Sequence, residues 1–331
     1  MFATLRRFAL GLCIALSPLP AAAACQGRDL LATLPGPERA ALEAAVAAQP
    51  FAVGNHWRAT RGGSTIHVIG TFHMFDARMT MHMRKLMPVL HQAGAIYLEA
   101  TEKEMAELQA AMASRPELMF TTGPTLPERL TDEEWQQLSA EMQARGIPAF
   151  LASKFRPWYV SVLLGVPPCA MDAAGGTSNG LDHLILTAAH EMGTPALPLE
   201  PYDTVFRIFE NMPDTDEIEM IRASLPLTAM AEDMFAAMVA AYFREDHRMI
   251  WEMSRTMTTA RADDPAKAAA DFTLLEEALV NSRNRAWMDV ILPAAEGRTI
   301  VVAVGAGHLA GQQGLLNLLA EAGYNLERQP F

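Results

Sequence analysis

Two short stretches share one layout. GTFH (Gly70–His73) follows the apolar run HVI, and GAGH (Gly305–His308) follows VVAV. Each sets a histidine three residues after a glycine, where a short strand should end. Side chains at the carboxyl ends of different parallel strands converge in space although they are far apart in sequence. That rim is where open α/β sheets bind ligands. The glycine allows a sharp turn or a close approach to the backbone. AIYLEA places Glu99 at a third strand end, and PALPLE places Glu200 at a fourth. Two imidazoles and a carboxylate are a donor set for a divalent metal. The glutamate can equally serve as a general base toward water that such a cation activates. Spacing alone leaves ligand and base unassigned.

Other readings compete for the same residues. Gly305, Gly307 and Ala310 fit the dinucleotide pattern G-x-G-x-x-A, after a strand and ahead of a helix, with Glu327 near the end of the next strand. The bulk of His308 would crowd a pyrophosphate there, and the usual further strands would have to come from earlier in the chain. HMFDARMTMHMRKLM brings Met74, Met79, Met81, Met83 and Met87 close to His73 and His82, a soft set for Cu(I). The chain holds 21 methionines throughout, however, so core filling is the better account. His82, His91, His183, His190 and His247 fall in helical stretches and are read as packing or surface residues. Asp182 sits in the first turn of its helix, where the helix dipole favours a carboxylate with no further role.

The elements that must position these groups are legible around them. Gly62-Gly63 marks a hairpin turn, followed by a strand over 65–69 that ends at Gly70. Helical periodicity covers 79–92, and a short apolar strand runs to Glu99. Residues 102–145 read as helix, broken at Pro116 and at Gly123-Pro124, with a capping box at Thr131 and Glu134. PWYVSVLLGVPPC is an apolar helix stopped by Pro167-Pro168. A glycine-rich loop then leads to a helix over 181–191, capped by Gly193, and to the PALPLE strand. Residues 204–290 are almost wholly helical. TIVVAVG is a strand, 310–322 a helix and 324–329 a last strand. Short, continuously apolar strands are buried on both faces. The fold class expected is α/β: a three-layer core with a mainly parallel sheet and large helical insertions at about 102–168 and 204–290.

Residues 1–24 read as a secretory signal peptide: Arg6 and Arg7, a short apolar run, then Ala22 to Ala24 ahead of Cys25. The remainder, 25–331, is expected to be one domain that works in the periplasm. Losing two arginines and no acid takes the formal charge from −12 to −14. An acidic surface argues against nucleic acid as a partner. After the N-terminus no apolar run is long enough for a transmembrane segment. Cys25 and Cys169 remain as an even pair in an oxidising compartment, so a disulfide between them is expected. A lipid anchor on Cys25 is the minority reading, weakened by Ala22 where a lipobox prefers leucine.

With GTFH, YLEA, GLDHLILTAA, LPLE, NSRNRAWMDVILP and VGAGHLAGQQGLLNLLAEAGYNLER on the page, the chain resembles the TraB/GumN family, which includes the Tiki-type proteases and is similar to erythromycin-esterase-like and ChaN-like proteins. The resemblance implies a divalent-metal-dependent hydrolase built on two Gly-x-x-His motifs and a glutamate, which fall on His73, Glu99 and His308. The family's Arg-Asn pair falls on Arg283 and Asn284, where an arginine can clamp a carboxylate and an amide can donate to developing charge. Gly70, Gly305, Asp182 and Glu200 are the weaker site candidates. The leading expectation is an exported hydrolase of peptidase type, dependent on Mn²⁺, Co²⁺ or Zn²⁺ and acting on a peptide or small molecule. The alternatives are a periplasmic module that binds a peptide, metal or haem without turnover, and a dinucleotide-binding oxidoreductase.

Overall fold

The computed structural model describes residues 25–173 and 180–331, so the signal-peptide reading of 1–24 and most of the glycine-rich loop lie outside the described residues. Six strands form one sheet: β1 His56–Arg61, β2 Ser64–Thr71, β3 Ile96–Leu98, β4 Ala196–Pro198, β5 Thr299–Gly305 and β6 Asn325–Arg328. Their order across the sheet is β4-β3-β5-β2-β1-β6. The pairs β4–β3, β3–β5 and β5–β2 are parallel, whereas β1 runs antiparallel to both β2 and β6. The sheet is therefore mixed and mainly parallel. Gly62, at φ +57°, makes the β1–β2 hairpin, a backbone conformation that suits glycine.

The strands of the parallel region carry apolar residues toward both faces, as their sequences require. Ile66, Val68, Ile300, Val302 and Val304 pack with Trp287 and Ile291 of helix Ser282–Ala294 and with Leu315, Leu316 and Leu319. Ile69, Ile96, Leu98, Val301 and Ala303 pack on the other face. Their partners there are Met79, Leu86 and Leu90 of helix Met79–Gln92 and Ile185 and Ala189 of helix Leu181–Met192. These are the three layers of an α/β core. Three of the four methionines of the first of these helices fill the core as expected, Met79 fully buried and Met83 and Met87 packed against the same cluster, whereas Met81 points outward and is 54% exposed.

Helical segments fill the stretches between β3 and β4 and between β4 and β5. The capping box at Thr131 forms, with Glu134 N–H on Thr131 Oγ1 at 3.2 Å and Thr131 N–H on Glu134 Oε2 at 2.8 Å. One boundary differs from expectation. The chain after Gly305 does not enter a helix at residue 310; it makes a short 3-10 turn at Ala306–His308, and helix Leu315–Glu321 begins later. Gly311, at φ +101°, bends the backbone away from helical geometry. The helix opening that a dinucleotide loop needs directly after its glycines is thus missing. Cys25 and Cys169 are joined as a disulfide, which spends the thiol a lipid anchor would need. No helix among the described residues is long and apolar enough to cross a membrane.

Candidate functional site

The sheet register brings the motifs together. Thr71 pairs with Gly305, while Leu98 pairs with Ala303 and with Pro198. The residues just beyond these ends therefore share one rim: His73 after β2, Glu99 after β3, Glu200 after β4 and His308 after β5. Gly305 lies at the meeting point. A Cβ on Gly305 would stand 3.3 Å from Glu99 Oε1, 3.5 Å from His73 Nε2 and 3.8 Å from His308 Cδ2. All three groups thus border one small space, well inside the ~10 Å limit for two imidazoles sharing a metal through ~2 Å bonds. Gly305 has ordinary extended dihedrals (φ −49°, ψ 133°), so what its missing side chain supplies is room rather than a turn. Gly70 likewise supplies closeness: a Cβ there would come within 3.1 Å of Ala306 Cβ and Leu309 Cδ2.

Helix Ser282–Ala294 fixes His308. Asn284, fully buried, donates through Nδ2 to the backbone carbonyls of His308 (3.0 Å) and Gln313 (2.8 Å). Its Oδ1 is thereby turned to His308 Nδ1 at 2.7 Å, which assigns the proton to Nδ1 and leaves the lone pair on Nε2. Burial lowers the His308 pKa to about 4, against the pull of Glu99, so the ring is neutral. Trp287, one turn beyond Arg283, lies against the imidazole with ring centres 4.5 Å apart. Asn284 has no proton left for a substrate; its part is to hold the imidazole.

The other histidine is more open, with 58% of its side chain exposed. Its Nδ1 stands 3.4 Å from Asp182 Oδ2, and its Nε2 faces the Gly305 space. Desolvation opposes charge on His73, but Asp182 and Glu99 outweigh it and raise its pKa. Asp182 reaches His73 because Gly180 lets the start of its helix press on the GTFH turn. A Cβ at Gly180 would meet Phe72 O at 2.1 Å and the His73 carbonyl carbon at 2.3 Å, and Leu181 N–H donates to Phe72 O at 3.0 Å.

Arg283 joins the remaining groups. It donates to Glu99 Oε2 (2.7 Å) through Nη2, to Glu200 through Nε (3.0 Å to Oε2) and Nη2, and to His308 Nε2 through Nη1 (3.3 Å). Its guanidinium also lies 5.0 Å from the Trp287 ring centre, and Trp287 Nε1 donates to Glu200 Oε2 at 3.0 Å. A π-helical turn, Glu277–Asn281, leads into this segment, a local widening often found at functional sites. Glu99 also accepts from Gly305 N–H at 2.7 Å. Burial would raise the Glu99 pKa, but His308, His73, Arg283 and the Gly305 N–H hold it down at about 2. Beside Glu200 opens a groove of about 470 Å³, lined by Lys103, Glu107, Leu199, Tyr202 and Arg207.

The residues read from sequence, His73, Glu99, His308, Arg283, Asn284, Gly70, Gly305, Asp182 and Glu200, thus lie around this rim. Glu200 is more central than its strand-end position suggested, since it anchors both Arg283 and Trp287. Trp287 and Gly180 were missed. Trp287 falls four residues after Arg283, on the same helix face, a spacing that could have marked it. Gly180 had no signal beyond belonging to a glycine-rich loop.

The donor chemistry fits a divalent cation: two imidazoles with Nδ1 taken by an amide or carboxylate, His73 turning Nε2 to the Gly305 space and His308 turning Nε2 to Arg283, and one carboxylate. Arg283 occupies part of that set, and among the described residues no group of three His, Cys, Asp or Glu is drawn up at ligand spacing. Residues 55–328 match the model of the TraB/PrgY/gumN family. The chain is also 26% identical over 279 residues to the uncharacterized protein YbaP of Escherichia coli (strain K12), covering 80% of this chain and 94% of that protein. The YbaP of Shigella flexneri matches to the same extent.

Proposed function

The chain belongs to the TraB/PrgY/gumN family, and from that premise we propose an exported, divalent-metal-dependent hydrolase of peptidase type. The observation that carries the reading is the convergence of His73 Nε2, Glu99 Oε1 and His308 on the space left by Gly305. The Cys25–Cys169 disulfide supports an oxidising compartment, and hence export. His73, His308 and Glu99 are the residues that would hold Mn²⁺, Co²⁺ or Zn²⁺, which supplies Lewis acidity toward a carbonyl and toward water.

The chain's own groups then divide the work. Asn284 and Asp182 set the two imidazoles, fixing which nitrogen faces the substrate. The groove beside Glu200, which shares that residue with the rim, would receive the substrate chain. Water adds to the carbonyl carbon, Glu99 takes its proton and passes it to the departing amine, and the C–N bond breaks. Arg283 stabilises the oxyanion. Arg283 Nη2 donates to Glu99 Oε2 at 2.7 Å and Gly305 N–H to its Oε1 at 2.7 Å, so the carboxylate is already engaged where it would meet water. The reading therefore requires the guanidinium to leave Glu99 during turnover.

The test is a panel of peptides and esters assayed with each of the three metals. Wild type should hydrolyse at least one class, and Glu99→Gln should lower kcat by on the order of 10³-fold or more with the fold intact. Inactivity of the wild type across panel and metals overturns the reading.

A further inference from the structure

Arg283 sits on the two groups a cation would need most. Its Nη1 takes the lone pair of His308 Nε2 at 3.3 Å, and its Nη2 takes Glu99 Oε2 at 2.7 Å. A divalent ion on those atoms would face a full positive charge at contact distance, where like charges repel strongly. The same guanidinium already has a second berth. Glu200 meets it with both oxygens, is itself only 12% exposed, and is held in place by Trp287 Nε1. Arg283 is thus shared between a carboxylate of the proposed metal set and one outside it. The loss of Glu99 and His308 contacts would leave its Glu200 contacts intact.

We infer that Arg283 is a tethered cation that closes the metal-free site and withdraws onto Glu200 when a divalent ion enters, so that the chain carries its own competitor for the metal. This rests on the metal-dependent reading above. The competitor keeps Glu99 and His308 paired when no ion is bound, lowers affinity for the metal, and delivers the guanidinium beside the reacting centre once displaced. Glu200 acts in this as a positioning residue: it sets metal affinity through Arg283.

The experiment is Co²⁺ titration, read by calorimetry and by the visible absorption of the bound ion. The proteins are wild type, Arg283→Gln, Glu200→Gln, the double variant and His308→Ala, each checked for folding by circular dichroism. Arg283→Gln should bind Co²⁺ at least tenfold more tightly than wild type. Glu200→Gln should bind at least fivefold more weakly, because Arg283 has lost its second berth. In the Arg283→Gln background the same change should alter affinity less than twofold. Should Arg283→Gln not fold, Arg283→Met is expected to behave alike and stands in for it. Equal or weaker binding by the arginine variant overturns the inference, as does a Glu200→Gln effect of the same size in both backgrounds. Failure of wild type and every variant to bind Co²⁺, Mn²⁺ or Zn²⁺ overturns the metal reading itself. Binding that His308→Ala leaves unchanged places the ion elsewhere and sinks both.

Discussion

Gly305 separates function from folding at a single position. Its absent side chain leaves the space that His73, Glu99 and His308 border, while the nearest atoms to an added methyl would be 3.3 Å or more away. The 3.3 Å contact with Glu99 Oε1 is tight, so that carboxylate must give by a few tenths of an ångström; Gly305→Ala should still fold, at a cost of about 1 kcal/mol. Activity should nonetheless fall by roughly 100-fold, because a small displacement of reacting groups is costly. Urea melts and kcat/KM on one preparation check this; loss of stability in step with activity would count against it. Asp182 makes the complementary case. Among the described residues its charged partner is His73, at Nδ1, away from the proposed reacting atoms. Asp182→Asn keeps the shape and removes the charge, and Co²⁺ affinity should drop by about 10- to 100-fold. Unchanged affinity would show that His73 needs no orienting partner.

Among the elements, the approach of helix Leu181–Met192 to the GTFH turn is the tightest at the site. A methyl at Gly180 would overlap the carbonyls of Phe72 and His73 at 2.1 to 2.5 Å, and backbone cannot rotate away as a side chain can. Gly180→Ala should cost about 1–3 kcal/mol in urea unfolding and weaken Co²⁺ binding as well, since the helix start carries Asp182. A variant with wild-type stability would mean the helix shifts freely. This junction also marks the limit of what the residues disclosed. The strands were legible because Val, Ile and Leu run without interruption, and the rim followed from placing His73, Glu99, Glu200 and His308 at strand ends. The register that aligns those ends is a property of pairing between distant segments, and single segments do not carry it. The start of the last helix was misread for a similar reason: the run after Ala310 is rich in helix formers, but Gly311 at φ +101° breaks it. Asn284 was read as a donor to substrate, and only the surrounding carbonyls of His308 and Gln313 reveal that its amide is already engaged.

At the scale of the molecule, the helices outside the sheet are tied to the rim of the candidate site through buried hydrogen bonds. Tyr242 OH donates to the Gly70 carbonyl at 3.1 Å, and Gly70 N–H donates to the Asn55 carbonyl at 2.7 Å. Asn55 Nδ2 donates to the Tyr242 carbonyl at 2.9 Å, and its Oδ1 faces His247 Nδ1 at 3.1 Å. His247 is only 2% exposed, and burial lowers its pKa to about 4, with the Phe51 carbonyl acting in the opposite direction. In the unfolded chain the ring titrates near 6.5. Between those two values the unfolded state holds a proton that the folded state lacks, so stability must fall as pH falls through this window. Above it the ring is neutral in both states and stability is level on this account. The loss attributable to His247 is of order 3 kcal/mol between pH 6.5 and about 4. Carboxylates such as Glu99, held at about 2, lose their contribution only at lower pH, so the two windows are distinct. His247→Gln should start less stable at pH 7.5 but show a shallower decline between pH 6.5 and 4.5. Urea unfolding free energies at half-unit intervals measure both slopes, and parallel slopes for wild type and variant would remove His247 from the account.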